Sequence, residues 1–93
     1  MATTRETTIC NKLGLHVRAA TQLVQMATDF DLELKIEVAG QEGDLKSIME
    51  VLMLAVTNGT DVTLHAEGDT ESEEEDALNQ LTSLIQNKFN EKE

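Results

Sequence analysis

The stretch LELKIEV at residues 32–38 alternates strictly between apolar and charged side chains. This period of two is typical of a β-strand with one buried face and one solvated face. Ala39-Gly40 follows and permits a tight turn into a short polar strand at residues 41–44, which we expect at the edge of a sheet. The apolar face of this sheet needs a covering layer, and the rest of the chain supplies helices for it.

The first helix is predicted at residues 17–28, where apolar residues at positions 20, 23, 24 and 27 repeat with helical spacing. Phe30 is expected to close the core side of this helix. Residues 61–66 alternate again and predict a further one-faced strand, and a weaker pattern at residues 5–10 predicts the first strand.

Two further helices are indicated by capping residues. Ser47 is a good N-cap for a short helix that ends before the turn Asn58-Gly59. Thr70 and Glu73 have the spacing of a capping box, and the helix that follows carries a leucine-rich stripe to about Phe89. The acidic run at residues 69–76 is expected to be the solvated first turn of that helix.

The predicted order is therefore β-α-β-β-α-β-α. Helices that cover one face of a four-stranded antiparallel sheet satisfy both the strand and the helix patterns. We predict an α+β fold, an open-faced β-sandwich with three helices on one face, as a single domain over residues 1–93. The chain has no proline, repeat or linker that would mark a boundary.

The composition excludes several functions. A net charge of −11 with only seven lysine and arginine residues opposes binding to nucleic acids and to anionic membrane surfaces. Two separated histidines and a single cysteine, Cys10, do not form a zinc motif or an internal disulfide. We expect a cytoplasmic protein that needs no metal or cofactor and has no membrane-inserted segment.

The segment GLHVRAA at residues 14–20 places His16 and Arg18 at the start of the first helix. A helix N-terminus attracts anions, a neutral imidazole is a nucleophile, and a guanidinium binds phosphate oxygens. The apolar stripe begins at Ala20, which leaves both polar side chains off the core. A solvated loop pair is the plainer interpretation, but no other set of residues in the chain suggests covalent chemistry.

These residues resemble the phosphohistidine motif of the HPr family, in which Gly-Leu-His-x-Arg is followed by proline or small residues. Lys46-Ser47-Ile48-Met49 and Ala66-Glu67-Gly68 are similar to two further family segments. The resemblance implies an open-faced β-sandwich and a carrier that is not itself an enzyme. It implies that His16 accepts a phosphoryl group from Enzyme I of the bacterial phosphotransferase system and passes it to a IIA-type protein.

The resemblance also implies the roles of individual residues. Nδ1 of His16 would attack, while Arg18 and the backbone N–H groups of Val17, Ala19 and Ala20 would hold the phosphoryl oxygens. The residues themselves do not select a ring nitrogen. Ala19 stands where most relatives carry proline, and replacing that proline lowers preorganisation by about 0.4–1 kcal/mol. Residues 11–14, Asn-Lys-Leu-Gly, and the acidic balance look like the nitrogen-type (NPr) branch. An acceptor in sugar uptake and an acceptor in a regulatory branch both stay open.

Helix two, near residues 48–56, is apolar nearly all round, which predicts either full burial or an exposed adhesive face. The resemblance implies that Ile48, Met49 and Leu52 dock Enzyme I and IIA-type partners. It also implies that Ser47 is either a simple N-cap or a regulatory site for HPr kinase. The alternative to a phosphocarrier is a non-catalytic regulatory module that docks its partners through helix two, and such a module would not need His16 beside Arg18 at a helix start. With either function we expect a monomer.

Overall fold

The computed structural model describes residues 2–91 and contains a four-stranded antiparallel sheet and three helices, in the predicted order. The sheet order is β1-β4-β2-β3, so β3 lies at an edge, as predicted. The elements are β1 (Ala2–Thr8), α1 (Val17–Thr28), β2 (Glu33–Val38), β3 (Gln41–Asp44), α2 (Ile48–Met53), β4 (Asp61–Glu67) and α3 (Glu71–Gln86). The α+β class and the limits of α1 are confirmed.

The core lies between the apolar face of the sheet and the helices. Leu34 and Ile36 of β2 and Leu64 of β4 are fully buried, whereas the alternate residues of these strands face solvent. Leu23 of α1 and Leu78 of α3 complete the same cluster. The strict alternation of residues 32–38 thus places one face of the sheet in the core.

The first strand is shifted from its predicted position at residues 5–10 to Ala2–Thr8. Its half-buried face carries polar residues that bind α3. The Arg5 guanidinium lies 2.7 Å from Glu75 Oε2 and 2.6 Å from Asn79 Oδ1. Because these inward groups are polar, hydrophobic alternation could not locate the strand.

The acidic start of α3 is not wholly solvated, which corrects the expectation for residues 69–76. Glu74 is buried, and its carboxylate accepts hydrogen bonds from the Thr3 hydroxyl at 2.6 Å and the Gly68 N–H at 2.9 Å. These bonds lower the pKa of Glu74, with the Thr3 hydroxyl as the larger cause. Glu74 therefore joins β1, α3 and the turn before α3.

The end of α3 also differs from the prediction. The helix stops at Gln86, and a separate turn, Lys88–Asn90, follows. All three residues of this turn have positive φ, so we call it the left-handed turn. The turn directs Phe89 back into the core, where the side chain is 1% exposed. Phe89 thus belongs to the core without belonging to the helix.

Candidate functional site

The loop before α1 is held against the α2–β4 connection. Gly14 has φ +67°, and a Cβ atom built there would lie 2.5 Å from the Val56 carbonyl oxygen. The next N–H, of Leu15, donates to that same oxygen at 3.0 Å. Glycine is therefore required both for its left-handed conformation and for the close approach of two backbones.

His16 is the N-cap of α1 and uses both ring nitrogens. Its backbone is extended, and its Nδ1 accepts a hydrogen bond from the Arg18 N–H at 3.2 Å. Its Nε2 lies 2.6 Å from Glu91 Oε2. Because a nitrogen that accepts must carry the lone pair, this geometry assigns the ring proton to Nε2, which donates to Glu91.

The first turn of α1 has N–H groups available for an anion. Within residues 2–91, no hydrogen bond engages the N–H of Val17 or of Ala19, as is usual at a helix start. The predicted Ala20 N–H is already engaged, since it donates to the His16 carbonyl oxygen at 2.8 Å. The Arg18 N–H donates to Nδ1 of His16.

An open cleft surrounds His16. Arg18 and Val17 line it from α1, and Asn90 and Glu91 line it from the segment after α3. The sequence patterns do not single out Glu91, because it lies beyond the last apolar stripe and follows a left-handed turn without glycine. The site therefore combines the predicted His16 and Arg18 with one unpredicted carboxylate.

Exposed apolar side chains occur on α2 and on the wall of this cleft. Met49 is 68% and Ile48 is 38% exposed, whereas Leu52 is half-buried and Val51 is fully buried. Helix two is therefore not fully buried, and the structure has the second predicted alternative, an exposed apolar face. Leu13, Val17 and Met53 are also exposed, and we call the five exposed residues Leu13, Val17, Ile48, Met49 and Met53 the apolar rim.

Ser47 and the second histidine lie outside the cleft. The Ser47 hydroxyl accepts the Glu50 N–H at 3.2 Å, so the N-cap prediction is confirmed. His65 lies on the open face of the sheet, where its Nε2 is 2.8 Å from Glu37 Oε1. Neither residue contributes to the His16 cleft.

Within residues 2–91, none of the helices combines the length and the apolar character that crossing a membrane would require.

Comparison with known proteins identifies close relatives. The family model described as "PTS HPr component phosphorylation site" matches residues 3–87. A phosphocarrier protein HPr of Cupriavidus necator is 47% identical over 89 residues, covering 96% of this chain and 97% of the relative. A phosphocarrier protein NPr of Shewanella violacea is 39% identical over 87 residues, covering 94% and 92% of the two chains.

A solved structure agrees with the fold. The crystal structure of HPr-C-His from Thermoanaerobacter tengcongensis has a TM-score of 0.90 and 38% identity, covering 98% of this chain and 99% of that one. The family match spans the histidine motif, all three helices and all but the first residue of the sheet, while Phe89 of the left-handed turn lies outside it. The chain belongs to the HPr family of phosphocarrier proteins of the phosphotransferase system.

Proposed function

We propose that His16 is the residue that carries the phosphoryl group. The observation that supports this most strongly is the position of Nδ1 at the N-terminus of α1, within hydrogen-bond distance of the Arg18 N–H. The N–H groups of Val17 and Ala19 are unengaged at the same helix end, and we propose them as further donors to a phosphoryl group on Nδ1. The same helix end therefore supplies the nucleophile and the oxygen-binding groups.

The transfer would be an in-line exchange between two histidines. The Nδ1 lone pair forms a bond to phosphorus while the nitrogen–phosphorus bond of the donor breaks and its electron pair stays on the donor ring. Such a step depends mainly on the alignment of the reacting atoms and on charge stabilisation. The N-cap geometry of His16 supports the alignment of the reacting atoms. Arg18 and the helix N-terminus support the stabilisation of charge.

The proposed donor is Enzyme I of the phosphotransferase system, and the proposed acceptor is a IIA-type protein. The exposure of the apolar rim supports docking of both, and we assign the contacts to Ile48 and Met49 of α2, with the half-buried Leu52 beside them in the same helix. Methionine side chains can repack against different partners in turn. We further propose that the protein acts in the cytoplasm as a monomer, in either the sugar or the nitrogen-type branch.

The decisive experiment is phosphorylation by phosphoenolpyruvate and the host's Enzyme I. Wild type is expected to acquire acid-labile phosphate, and His16→Ala is expected to acquire none. His65→Ala is the matched control, because His65 lies on the open sheet face and should leave labelling intact. Equal labelling of wild type and His16→Ala would reject the proposal and favour a docking module without chemistry.

Arg18 is proposed to stabilise the charge of the transferred group. Its side chain is exposed, so replacing it should leave the core unchanged. For Arg18→Ala we expect a transfer rate about 10- to 100-fold lower, because a hydrogen bond to a charged group contributes about 1.5–3 kcal/mol. Rapid-quench kinetics checks this, and an unchanged rate would remove Arg18 from the proposed site.

A regulatory role is proposed for Ser47 as a substrate of an HPr kinase. Phosphate at this N-cap would add a charge of about −1.5 to −2 directly before Ile48 and Met49. Ser47→Asp should therefore weaken binding to Enzyme I, whereas Thr70→Asp, at the N-cap of α3, should not. Calorimetric titration of both variants tests the docking surface, and equal affinities would contradict it.

A further inference from the structure

We propose that Glu91 is a positioning residue that keeps the proton of His16 on Nε2 and stabilises the positive charge that the ring acquires on phosphorylation. This inference rests on the proposed function of His16. Glu91 lies beyond residues 3–87, the part of the chain that the family model matches. Its role is therefore not part of the family pattern found in this sequence.

The contact itself is short and sheltered. Nε2 of His16 and Oε2 of Glu91 are 2.6 Å apart, and the two side chains are 28% and 12% exposed. Hydrogen bonds to an ionised carboxylate are stronger than neutral ones, and partial exclusion of water strengthens them further. The carboxylate can therefore determine which ring nitrogen carries the proton.

Glu91 is itself held in place. The buried Asn11 directs its Nδ2 group to both carboxylate oxygens, at 3.3 and 3.4 Å, and to the Gly14 carbonyl oxygen at 2.7 Å. Asn11 thus connects Glu91 to the loop that precedes His16. The carboxylate and the ring are both anchored to the same loop.

The left-handed turn provides a second anchor. Each residue of Lys88–Asn90 has positive φ, a conformation that is sterically unfavourable for residues other than glycine. Such a backbone persists where the surroundings fix it, and here Phe89 is buried directly before Asn90 and Glu91. The turn therefore places the Glu91 carboxylate beside Nε2 of His16, the ring nitrogen that the Arg18 N–H does not contact.

This arrangement explains how the ring can act at both stages of transfer. When Nδ1 takes the phosphoryl group from a phosphohistidine protonated at its other nitrogen, the positive charge moves from the donor ring to His16. The Nε2 proton stays between the ring and Glu91, which stabilises that charge. When the nitrogen–phosphorus bond later breaks, its electron pair returns to Nδ1 and the neutral tautomer is restored.

The test compares Glu91→Gln with Glu6→Gln, which removes the same charge from an exposed position on β1. Two quantities are measured for each variant: the rate of phosphoryl transfer from charged Enzyme I, and the Nε2–H proton resonance of His16. Wild type and Glu6→Gln should show a downfield, exchange-protected resonance and equal rates. Glu91→Gln should lose that resonance and transfer about 10-fold more slowly.

Three other outcomes would contradict either the role of Glu91 or the proposed function of His16. Equal rates in wild type and Glu91→Gln would overturn the inference, whatever the resonance shows. A slower Glu91→Gln with an unchanged resonance would also overturn it, because the carboxylate would then act without holding the proton. Failure of wild type to become labelled on His16 would reject the proposed function instead.

Discussion

Gly14 is the residue at which the loop before His16 depends most directly on the absence of a side chain. Its φ of +67° is left-handed, and a Cβ would lie 2.5 Å from a backbone oxygen that cannot move independently. In an alanine variant, the cost of the left-handed backbone and the steric overlap of the Cβ atom would both destabilise the folded state. We expect Gly14→Ala to lower the free energy of unfolding by about 2–4 kcal/mol.

Gly59 offers a matched control for that prediction. It also has positive φ, at +87°, but no atom lies within 4 Å of its would-be Cβ. Gly59→Ala should therefore lose only the conformational part, about 1–2 kcal/mol. Urea unfolding of both variants measures the difference, and equal losses would show that the Val56 contact is unimportant.

Ala19 permits a gain in stability. It is buried in the first turn of α1, and within residues 2–91 its N–H makes no hydrogen bond that a proline would remove. Ala19→Pro should raise the free energy of unfolding by about 0.4–1 kcal/mol, because it restricts the unfolded chain. A decrease in urea unfolding experiments would mean that the pyrrolidine ring does not fit beside the core.

At the scale of elements, the hairpin between β2 and β3 carries an unfavourable turn residue. Ala39 and Gly40 have φ of 52° and 82°, and positive φ at both positions is the mark of a type I′ turn. Asparagine tolerates this conformation better than alanine. Ala39→Asn should therefore raise the free energy of unfolding by about 0.5–1 kcal/mol. The gain is a part of the free-energy cost of holding alanine in the left-handed conformation.

Thermal unfolding checks the Ala39→Asn prediction. Gly40→Ala is the opposing control, since it introduces a left-handed alanine where the space is open and should lower the midpoint. A midpoint for Ala39→Asn below that of wild type would indicate that the side chain disturbs the strand pairing.

The elements also differ in how well the sequence predicts them. The limits of α1 follow from its apolar stripe, and the alternation at residues 32–38 identifies β2 and its buried face. The polar inward face of β1 and the left-handed turn have no such periodicity. Glu91 could not be predicted for the same reason, because its position depends on that turn and on contacts with Asn11 across the chain.

At the scale of the whole molecule, stability should depend on Glu74. Its pKa is lowered by the Thr3 hydroxyl and the Gly68 N–H, so the folded state favours the ionised carboxylate. This contribution is present above the pKa of the unfolded chain and is lost as the pH falls through the lowered folded value. Wild type should therefore be destabilised by acid.

Glu74→Gln isolates this effect, since the amide cannot ionise. The variant should unfold more readily than wild type at pH 7, and the difference should shrink as the pH falls through the lowered pKa of the folded wild type. Urea unfolding across a series of acidic pH values measures it. A difference that is constant with pH would show that Glu74 acts through packing and not through its charge.

The His16–Glu91 contact joins residues that are 75 positions apart in the sequence. A chain made from its N-terminus acquires His16 early, but the partner of its Nε2 only after the last helix has been synthesised. A growing chain that has reached Gln86 contains the residues of β1–β4 and α1–α3, yet its His16 still lacks the Glu91 carboxylate. Under the proposed role of Glu91, competence for transfer is acquired only after the four strands and the three helices have been synthesised.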